Sequence, residues 1–328
     1  MKFSEKMKNT IKYELTFEPK SLWNFTKNKF LENICNTGYG KDTSKDYIFS
    51  GKGTFLSGWN KEFHKRLIEF YTIEGDTILD PFAGHSSSFI PYLMNRNFIG
   101  FEITKERYNI QNEHLNKLKD IFPRNCNINL INDSSENIKN YLKENTINCI
   151  ITDPPFWDLE KYERPVNGEQ LSDIKEYNTF LDKLSKILIE SSSYLKDNGF
   201  LLLKIGDFRR KTQFINLSGD IINKILSNTN LTFIDKIVLE LNPNKRPPLY
   251  PLAITKKQML KVQEFVLVFR KINKDTIDED NDRINWNRKL VNDVYDGIDE
   301  LFYAQSKGKR DYITEELEKE YNKKIGSK

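Results

Sequence analysis

The segment Thr77-Ile-Leu-Asp-Pro-Phe-Ala-Gly-His-Ser-Ser-Ser88 decides the fold class. Its first three residues form a short apolar run that is typical of a buried strand, and the following Asp80-Pro-Phe-Ala-Gly84 turns out of that strand toward a serine-rich helix start. In doubly wound α/β folds such a turn lies at the carboxyl edge of the sheet, where ligands bind and where a glycine lets the backbone approach them closely. The segment therefore predicts a ligand site at a strand end.

Apolar strands and helical stretches alternate around this segment. Helices are predicted over residues 60–71, 86–95 and 105–119 from the spacing of their apolar residues. Further strands are predicted at residues 98–101, 128–131, 149–152, 200–205, 231–239 and 265–269. Strands separated by helices indicate βαβ units, so we predict an α/β, Rossmann-like, doubly wound and mostly parallel sheet with helices on both faces.

The composition divides the 328 residues into three regions. Residues 1–52 are polar and punctuated by glycines, which predicts an N-terminal arm. Residues 53–271 hold the alternating elements and form the predicted core. Residues 272–328 predict a charged segment followed by a C-terminal helical tail, in which apolar residues between 290 and 302 recur at helical spacing.

The bulk properties exclude several classes of protein. No apolar run approaches the roughly 18 residues of a membrane span, and the N-terminus lacks the apolar region of a signal peptide, so we expect a cytoplasmic protein without a membrane partner. The three cysteines and three histidines are dispersed, which predicts neither a disulfide framework nor a metal site. A formal net charge of +4 permits binding to nucleic acid without requiring it.

A carboxylate ends the predicted strand at residues 98–101. Glu102 stands there, downstream of the turn at Gly84. A carboxylate in this place can accept hydrogen bonds from the two hydroxyls of a ribose. Each feature alone is also compatible with an ordinary strand end, but together they indicate a cofactor that contains a nucleoside.

The segment Asp153-Pro-Pro-Phe156 follows another apolar strand. Paired prolines fix the backbone and donate no hydrogen bond, so the Asp153 carboxylate and the Pro154 carbonyl are left as acceptors. An amino group held between two acceptors becomes a better nucleophile. Phe156 adds an aromatic face on which a flipped-out base can stack.

These motifs resemble those of the amino-methyltransferases of DNA, the adenine-N6 and cytosine-N4 group. The turn at residues 80–84 resembles the cofactor motif of that family, residues 153–156 resemble its catalytic (Asp/Asn/Ser)-Pro-Pro-(Tyr/Phe) motif, and residues 99–102 resemble its second-strand signature. The resemblance extends over about residues 59–271. It implies that residues 53–271 are a catalytic core that transfers a methyl group directly from S-adenosylmethionine to the amino nitrogen, without a covalent enzyme intermediate.

The resemblance implies two groups of site residues. Asp133 lies where the family has a residue that contacts the adenine of the cofactor, with a helix cap as the alternative interpretation. Ser86 departs from the pattern because the family usually has a second glycine there, so weak cofactor binding or an inactive methyltransferase-like subunit stays open. The implied cofactor residues are Asp80, Pro81, Phe82, Gly84, Ser86, Glu102, Asp133 and Ser134, and the implied catalytic residues are Asp153, Pro154, Pro155 and Phe156.

Basic residues cluster downstream of the catalytic motif. Between residues 236 and 271, eight lysines and arginines stand against two glutamates, and neutralising phosphates provides most non-specific affinity for nucleic acid. We place target-recognition elements within residues 157–170, which include a lid, and within residues 207–262. The residues expected to contact nucleic acid are Lys245, Arg246, Tyr250, Lys256, Lys257, Arg209 and Arg210.

The identity of the substrate stays open at this point. Asp at the first position of the catalytic motif usually accompanies adenine in this family, so adenine N6 is favoured over cytosine N4. Guanine-N2 methyltransferases of tRNA carry a similar motif but usually also an RNA-binding domain, whereas only about fifty polar residues precede this core. DNA is therefore favoured over RNA. A companion restriction endonuclease is a further partner that the resemblance allows, and the oligomeric state stays open.

Overall fold

The computed structural model describes residues 22–23, 29–35, 60–159, 170–210, 213–240, 254–259, 261, 263–272 and 312–325. The chain divides into two compact units, one formed by residues 20–271 and the other by residues 1–19 and 272–328. In the second unit the structure describes Ile272 and a helix, Tyr312–Ile325. The tail helix that the sequence predicts between residues 290 and 302 lies outside the described residues.

The first unit contains the sheet. Its strands are Leu22–Trp23 (β1), Thr77–Asp80 (β2), Asn97–Phe101 (β3), Ile128–Ile131 (β4), Ile147–Thr152 (β5), Leu195–Ile205 (β6), Phe208–Arg210 (β7), Gln213–Ile215 (β8), Leu231–Glu240 (β9) and Gln263–Lys271 (β10). Its helices are Lys29–Ile34 (α1), Lys61–Tyr71 (α2), Phe89–Leu93 (α3), Lys105–Ile121 (α4), Tyr177–Ser193 (α5) and Leu217–Asn228 (α6), and short 3₁₀ turns cover Ser135–Asn140, Trp157–Leu159 and Leu171–Asp173.

Eight strands form one sheet in the order β1-β9-β10-β6-β5-β2-β3-β4, and β7 pairs with β8 in a separate hairpin. Strand β10 runs antiparallel to both of its neighbours, β6 and β9, and the other pairs in the large sheet are parallel. The prediction of an α/β, mostly parallel, doubly wound sheet is thus confirmed. Strand β1 comes from the predicted N-terminal arm and pairs with β9, so the arm contributes an edge strand.

The direction of winding reverses between β2 and β5. From β2 the chain proceeds through β3 to β4 at one edge, and it then returns to add β5 on the other side of β2. Crossovers between parallel strands are right-handed, so α3 and α4 cover one face of the sheet and α5 the other. Ligands of such sheets bind outside the carboxyl ends of the strands at this switch point, which is where the two sequence motifs lie.

Strands β2 and β5 and the second half of β6 are near-continuous apolar runs, as expected for strands whose two faces are both covered. Ile78 and Leu79 of β2 and residues 201–203 of β6 are completely buried, and each such side chain contributes about 1.5–3 kcal/mol by leaving water. Helix α2 begins at the cap residue Asn60, whose side chain accepts a hydrogen bond from the Phe63 amide at 3.1 Å. This packing holds the carboxyl ends of β2 and β5 rigidly side by side.

The structure differs from the sequence-based predictions in two places. The helix expected over residues 86–95 is only the five-residue α3, because Ser86 and Ser88 form a turn with buried side-chain partners and Pro91 lacks an amide donor. The hairpin formed by β7 and β8 was not predicted. Among the described helices, none is both long and apolar enough to cross a membrane.

Candidate active site at the carboxyl ends of the central strands

Asp80 ends β2 as a buried carboxylate, with 1% of its surface exposed. Its Oδ1 accepts hydrogen bonds from the Thr152 hydroxyl at 2.6 Å and from the Phe82 amide at 2.9 Å. Its Oδ2 has no hydrogen bond of standard geometry among the described residues, although the Ser87 hydroxyl lies close enough to lower the pKa of the carboxyl group. Burial raises the pKa of Asp80 to about 7 despite those hydrogen bonds. An acceptor atom that is buried and unsatisfied is suited to a donor that a ligand brings.

Glu102 follows β3 and is also buried. Its Oε1 accepts a hydrogen bond from the Thr104 amide at 2.6 Å, and the nearby Gly84 amide acts together with that of Thr104 to lower the pKa of the carboxyl group. Burial raises the pKa of Glu102, while the nearby Arg107 acts in the opposite direction. The turn after β2 therefore lies beside the carboxylate after β3, and contact of Glu102 with a ribose stays a prediction.

Two glycines shape this part of the site for different reasons. Gly84 has φ +58°, a left-handed conformation that favours glycine, although a Cβ there would meet no atom within 4 Å. Gly100 in β3 needs close approach instead, because a Cβ there would lie 2.9 Å from the Cβ of Ala83. The remaining residues of the turn are also anchored: the Pro81 carbonyl accepts the Ser135 hydroxyl at 2.5 Å, and Phe82 packs partly buried against the core.

Ser86, the residue that departs from the family pattern, is bonded to a buried lysine. Lys61 at the start of α2 donates from Nζ to the Ser86 hydroxyl at 2.8 Å, and only 6% of Lys61 is exposed. Burial lowers the pKa of Lys61, and its backbone amide donates to Glu32 of α1 at 3.0 Å. Sequence reasoning missed Lys61, although a lysine just inside a buried helix that precedes the cofactor turn is an available signal.

Gln111 of α4 is a second residue that sequence reasoning missed. It is fully buried, its Oε1 accepts both the amide and the hydroxyl of Ser88 at 3.1 and 2.7 Å, and its Nε2 donates to the Gly84 carbonyl at 3.0 Å. Gln111 therefore ties both ends of the turn to α4. A polar residue on the apolar face of a predicted helix was its only signal in the sequence.

Asp133 and Ser134 follow β4. Oδ1 of Asp133 accepts from the Ser134 amide at 2.7 Å and from Asn137 at 3.0 Å, and Oδ2 accepts from the Tyr141 hydroxyl at 2.8 Å. Burial alone would raise the pKa of Asp133, but these hydrogen bonds outweigh it and lower the pKa. Ser134, rather than Asp133, caps the following 3₁₀ turn, because its hydroxyl accepts a hydrogen bond from the Glu136 amide. Contact of either residue with a cofactor stays a prediction.

Asp153, in the turn at residues 153–156, forms an ion pair that the sequence did not reveal. Asp153 follows β5, and its Oδ2 accepts from Lys204 Nζ at 2.7 Å, with side chains that are 15% and 16% exposed. Lys204 also lies 3.4 Å from Glu264 of β10, which in turn lies 3.7 Å from Lys261. Burial raises the pKa of Asp153, and Lys204 opposes that effect. The carboxylate is therefore embedded in a network of alternating charges.

The aromatic residues of the turn lie beside this network. Phe156 is largely buried, and Lys204 and Lys261 place their Nζ atoms 5.7 and 5.5 Å from its ring centroid. Pro154 is buried and Pro155 is half-buried. Trp157 has φ +55° and its indole nitrogen has no hydrogen-bond partner among the described residues. The motif is thus followed directly by a residue in the left-handed conformation.

One residue that was predicted to contact nucleic acid lies beside Trp157, which directly follows the turn at residues 153–156. Arg210 of β7 is exposed and lies 5.7 Å from the ring of Trp157, and the neighbouring Arg209 lies 5.3 Å from the exposed ring of Phe214. Lys256 and Lys257 are exposed, and no described contact links them to the site. Three further predicted residues and most of the predicted lid lie outside the described residues: Lys245, Arg246, Tyr250 and positions 160–168.

The sequence of this chain is similar to those of known proteins. The sequence model of a DNA methylase family, N6/N4, matches residues 3–113 and 147–324. The type II methyltransferase M.SmaI of Serratia marcescens is 32% identical over 84 residues, which are 26% of this chain and 27% of M.SmaI.

Solved structures also show similarity. TrmN from Thermus thermophilus superposes with a TM-score of 0.46 at 12% identity, over 66% of this chain and 51% of TrmN. A DNA modification methylase described as putative, also from Thermus thermophilus, gives a TM-score of 0.32 at 18% identity, over 42% of this chain and 50% of its own. The chain thus covers about half of these two structures and about a quarter of M.SmaI.

Proposed function

We propose that this chain, which belongs to the N6/N4 DNA methylase family, methylates an exocyclic amino group of a base in DNA. The premise is that its sequence matches the model of that family. Family membership confirms the resemblance that the motifs indicated, and S-adenosylmethionine is the cofactor. The observation that carries the proposal is the hydrogen bond of 2.6 Å between Thr152 and Asp80. It joins the cofactor turn to the strand whose next residue is Asp153.

The residues of the cofactor turn fit S-adenosylmethionine. The unsatisfied Oδ2 of Asp80 is suited to the ammonium of the methionine part, and the buried Glu102 at the end of β3 is suited to the ribose hydroxyls. Gly84 keeps the backbone between them without a side chain. When bound, the cofactor supplies a methyl group on a positively charged sulfur.

The catalytic turn fits an amino group as the acceptor. The Asp153 carboxylate and the Pro154 carbonyl accept hydrogen bonds from the two amino hydrogens, which directs the nitrogen lone pair toward the methyl group. With the cofactor bound, the nitrogen would take the methyl carbon as the carbon–sulfur bond breaks, S-adenosylhomocysteine would be the leaving group, and the methylated nitrogen would then lose a proton to solvent. Most of the rate enhancement then comes from positioning, with Phe156 holding the flipped-out base by stacking.

Ser86 supports an active enzyme rather than an inactive subunit. Its hydroxyl is bonded to Lys61, and Gly84 keeps the left-handed conformation that the turn requires. The departure from the family pattern is therefore accommodated by a specific partner on α2.

Adenine N6 is the favoured target because Asp occupies the first position of the catalytic motif, and cytosine N4 is the alternative. Similarity to M.SmaI, a type II methyltransferase, supports a role in restriction–modification with a companion endonuclease. Arg209 and Arg210, which are exposed on the hairpin beside Trp157, are suited to the phosphates of the bound strand. A cytoplasmic location, where genomic DNA is accessible, stays a prediction from the sequence.

The test is expression in a host that lacks DNA methylation, followed by mass spectrometry of its DNA nucleosides. N6-methyladenine that appears with the native protein, and not with Asp153→Ala, supports the proposal, whereas N4-methylcytosine keeps the mechanism and changes the base. If neither mark appears while the purified protein binds S-adenosylmethionine in calorimetry, RNA becomes the substrate to test. If the cofactor does not bind, the chain is an inactive subunit and the proposal fails.

A further inference from the structure

We propose that Lys204 is a positioning residue for methyl transfer, which orients the Asp153 carboxylate and keeps it ionised, and that Glu264 holds Lys204 in place. The inference rests on the proposed function, because it takes Asp153 as the acceptor of the target amino group. Neither Lys204 nor Glu264 belongs to the motifs that indicated the family.

The sheet itself brings these residues together. Strands β5 and β6 are parallel neighbours in which Thr152 pairs with Leu203. Asp153, which follows Thr152 at the end of β5, therefore lies beside Lys204, which follows Leu203 in β6. Strand β10 flanks β6 on its other side, where Val266 pairs with Lys204. Residues two apart on a strand share a face, which places Glu264 diagonally opposite Lys204.

The distances assign Lys204 to both carboxylates. Its Nζ lies 2.7 Å from Oδ2 of Asp153 and 3.4 Å from Oε2 of Glu264. Lys261, 3.7 Å from the other oxygen of Glu264, adds a second positive charge. Burial alone would raise the pKa of Glu264, but the two lysines outweigh it and lower the pKa. Glu264 is thus anionic and anchors Lys204 from the side opposite Asp153.

The two oxygens of Asp153 have different partners in this arrangement. Because Lys204 donates to Oδ2, Oδ1 is the oxygen that we assign to the target amino group. A protonated carboxyl group is a weaker acceptor than a carboxylate, so the ionisation of Asp153 affects the rate. Burial and Glu264 raise the pKa of Asp153, while Lys204 and Lys261 lower it. Lys204 and Glu264 therefore act on Asp153 with opposite signs.

The experiment measures the rate of a single methylation turnover against pH, with saturating DNA and S-adenosylmethionine. Lys204→Met should move the acid limb of the profile to higher pH by about one unit, which lowers the rate on that limb about tenfold and lets it recover at alkaline pH. Lys204→Arg should restore most of the rate. Glutamine at position 264 can still accept a hydrogen bond from Lys204 and so keep it in place, but it lacks the negative charge that raises the pKa of Asp153. Glu264→Gln should therefore move the acid limb in the opposite direction, to lower pH.

Lys196→Met is the matched control, since Lys196 lies on the same strand but donates to Asn148 at its other end, at 3.0 Å. Its profile should equal that of the native protein. The affinity for S-adenosylmethionine should change less than about threefold in the Lys204 and Glu264 variants, because both variants keep every residue that we assign to the cofactor.

Two results would overturn the inference. A rate of Lys204→Met that falls equally at every pH would show a merely structural role, and so would a Glu264→Gln profile that moves in the same direction as that of Lys204→Met. If Lys204→Met does not fold, the Glu264→Gln and Lys204→Arg profiles decide by themselves. Substantial activity of Asp153→Ala would instead refute the catalytic role of Asp153, which is a separate failure of the proposed function.

Discussion

Replacing Asp80 by asparagine should stabilise the cofactor-free protein above about pH 7 and weaken its binding of S-adenosylmethionine. The side chain is buried, one of its oxygens has no hydrogen bond of standard geometry among the described residues, and its pKa is raised from 3.8 to about 7. The folded protein therefore binds more protons than the unfolded chain between these two values. Its stability falls as the pH rises through that window, and the cost of the buried charge is fully present above pH 7.

The size of the effect follows from the pKa. One pH unit corresponds to about 1.36 kcal/mol, so a rise from 3.8 to about 7 amounts to an upper limit of about 4 kcal/mol. Asparagine leaves a buried amide in the same place, at a cost of about 1–3 kcal/mol, but that cost does not depend on pH. Loss of a hydrogen bond to the charged ammonium should weaken cofactor binding by about 1.5–3 kcal/mol, about ten- to a hundredfold.

The assay is urea unfolding of both proteins at pH values between 4 and 9, together with calorimetry of S-adenosylmethionine binding. The free energy of unfolding of Asp80→Asn minus that of the native protein should increase as the pH rises and become constant above about pH 8. Asp133→Asn is the matched control: hydrogen bonds lower the pKa of Asp133, so its carboxylate stabilises the native protein above pH 3.8, and the variant should be less stable than the native protein by an amount that stays nearly constant between about pH 5 and 9. A difference between Asp80→Asn and the native protein that is constant with pH would refute the reasoning about burial, and unchanged calorimetry would refute the role of Asp80 in binding.

Three further predictions concern other parts of the site. Thr152→Val removes a buried donor to Asp80, so the free energy of unfolding in urea should fall by about 1–3 kcal/mol. Gly100→Ala places a Cβ 2.9 Å from Ala83, and this overpacking should lower thermal stability by about 1–3 kcal/mol and weaken cofactor binding in calorimetry by displacing the turn. Arg210→Ala should weaken DNA binding and reduce the slope of log affinity against log salt by about 1, as expected for a lost phosphate contact.

Each of these predictions has a clear contrary outcome. Equal unfolding curves for Thr152→Val and the native protein would show that the 2.6 Å contact contributes nothing to stability. Normal cofactor binding by Gly100→Ala would show that the turn does not need its close approach to β3. An unchanged salt dependence for Arg210→Ala would place that side chain off the DNA path, and Lys224→Ala, whose lysine pairs with Asp182 on the surface, provides the control.

The local features of this protein were readable from its sequence. Apolar runs such as Thr77–Leu79 and the turn chemistry of Asp80-Pro-Phe-Ala-Gly84 involve residues that are close together along the chain, so period and composition identify them. The alternation of strands and helices, the strand-end placement of Glu102 and Asp153, and family membership could all be predicted. The helix over 86–95 was predicted too long, because hydroxyl partners of Ser86 and Ser88 on α2 and α4 were invisible to any local pattern.

Only the tertiary structure revealed the partners that complete the two motifs. Lys61 meets Ser86 across 25 positions of the sequence, Lys204 meets Asp153 across 51, and Thr152 meets Asp80 across 72. These pairs depend on strand order and register, with β5 inserted between β2 and β6. Hydrophobic periodicity reports which face of an element is buried, but it carries no information on which strand lies beside it. The local sequence therefore determined which functional groups each turn carries, and the order of strands in the sheet determined which charged and polar residues lie beside them.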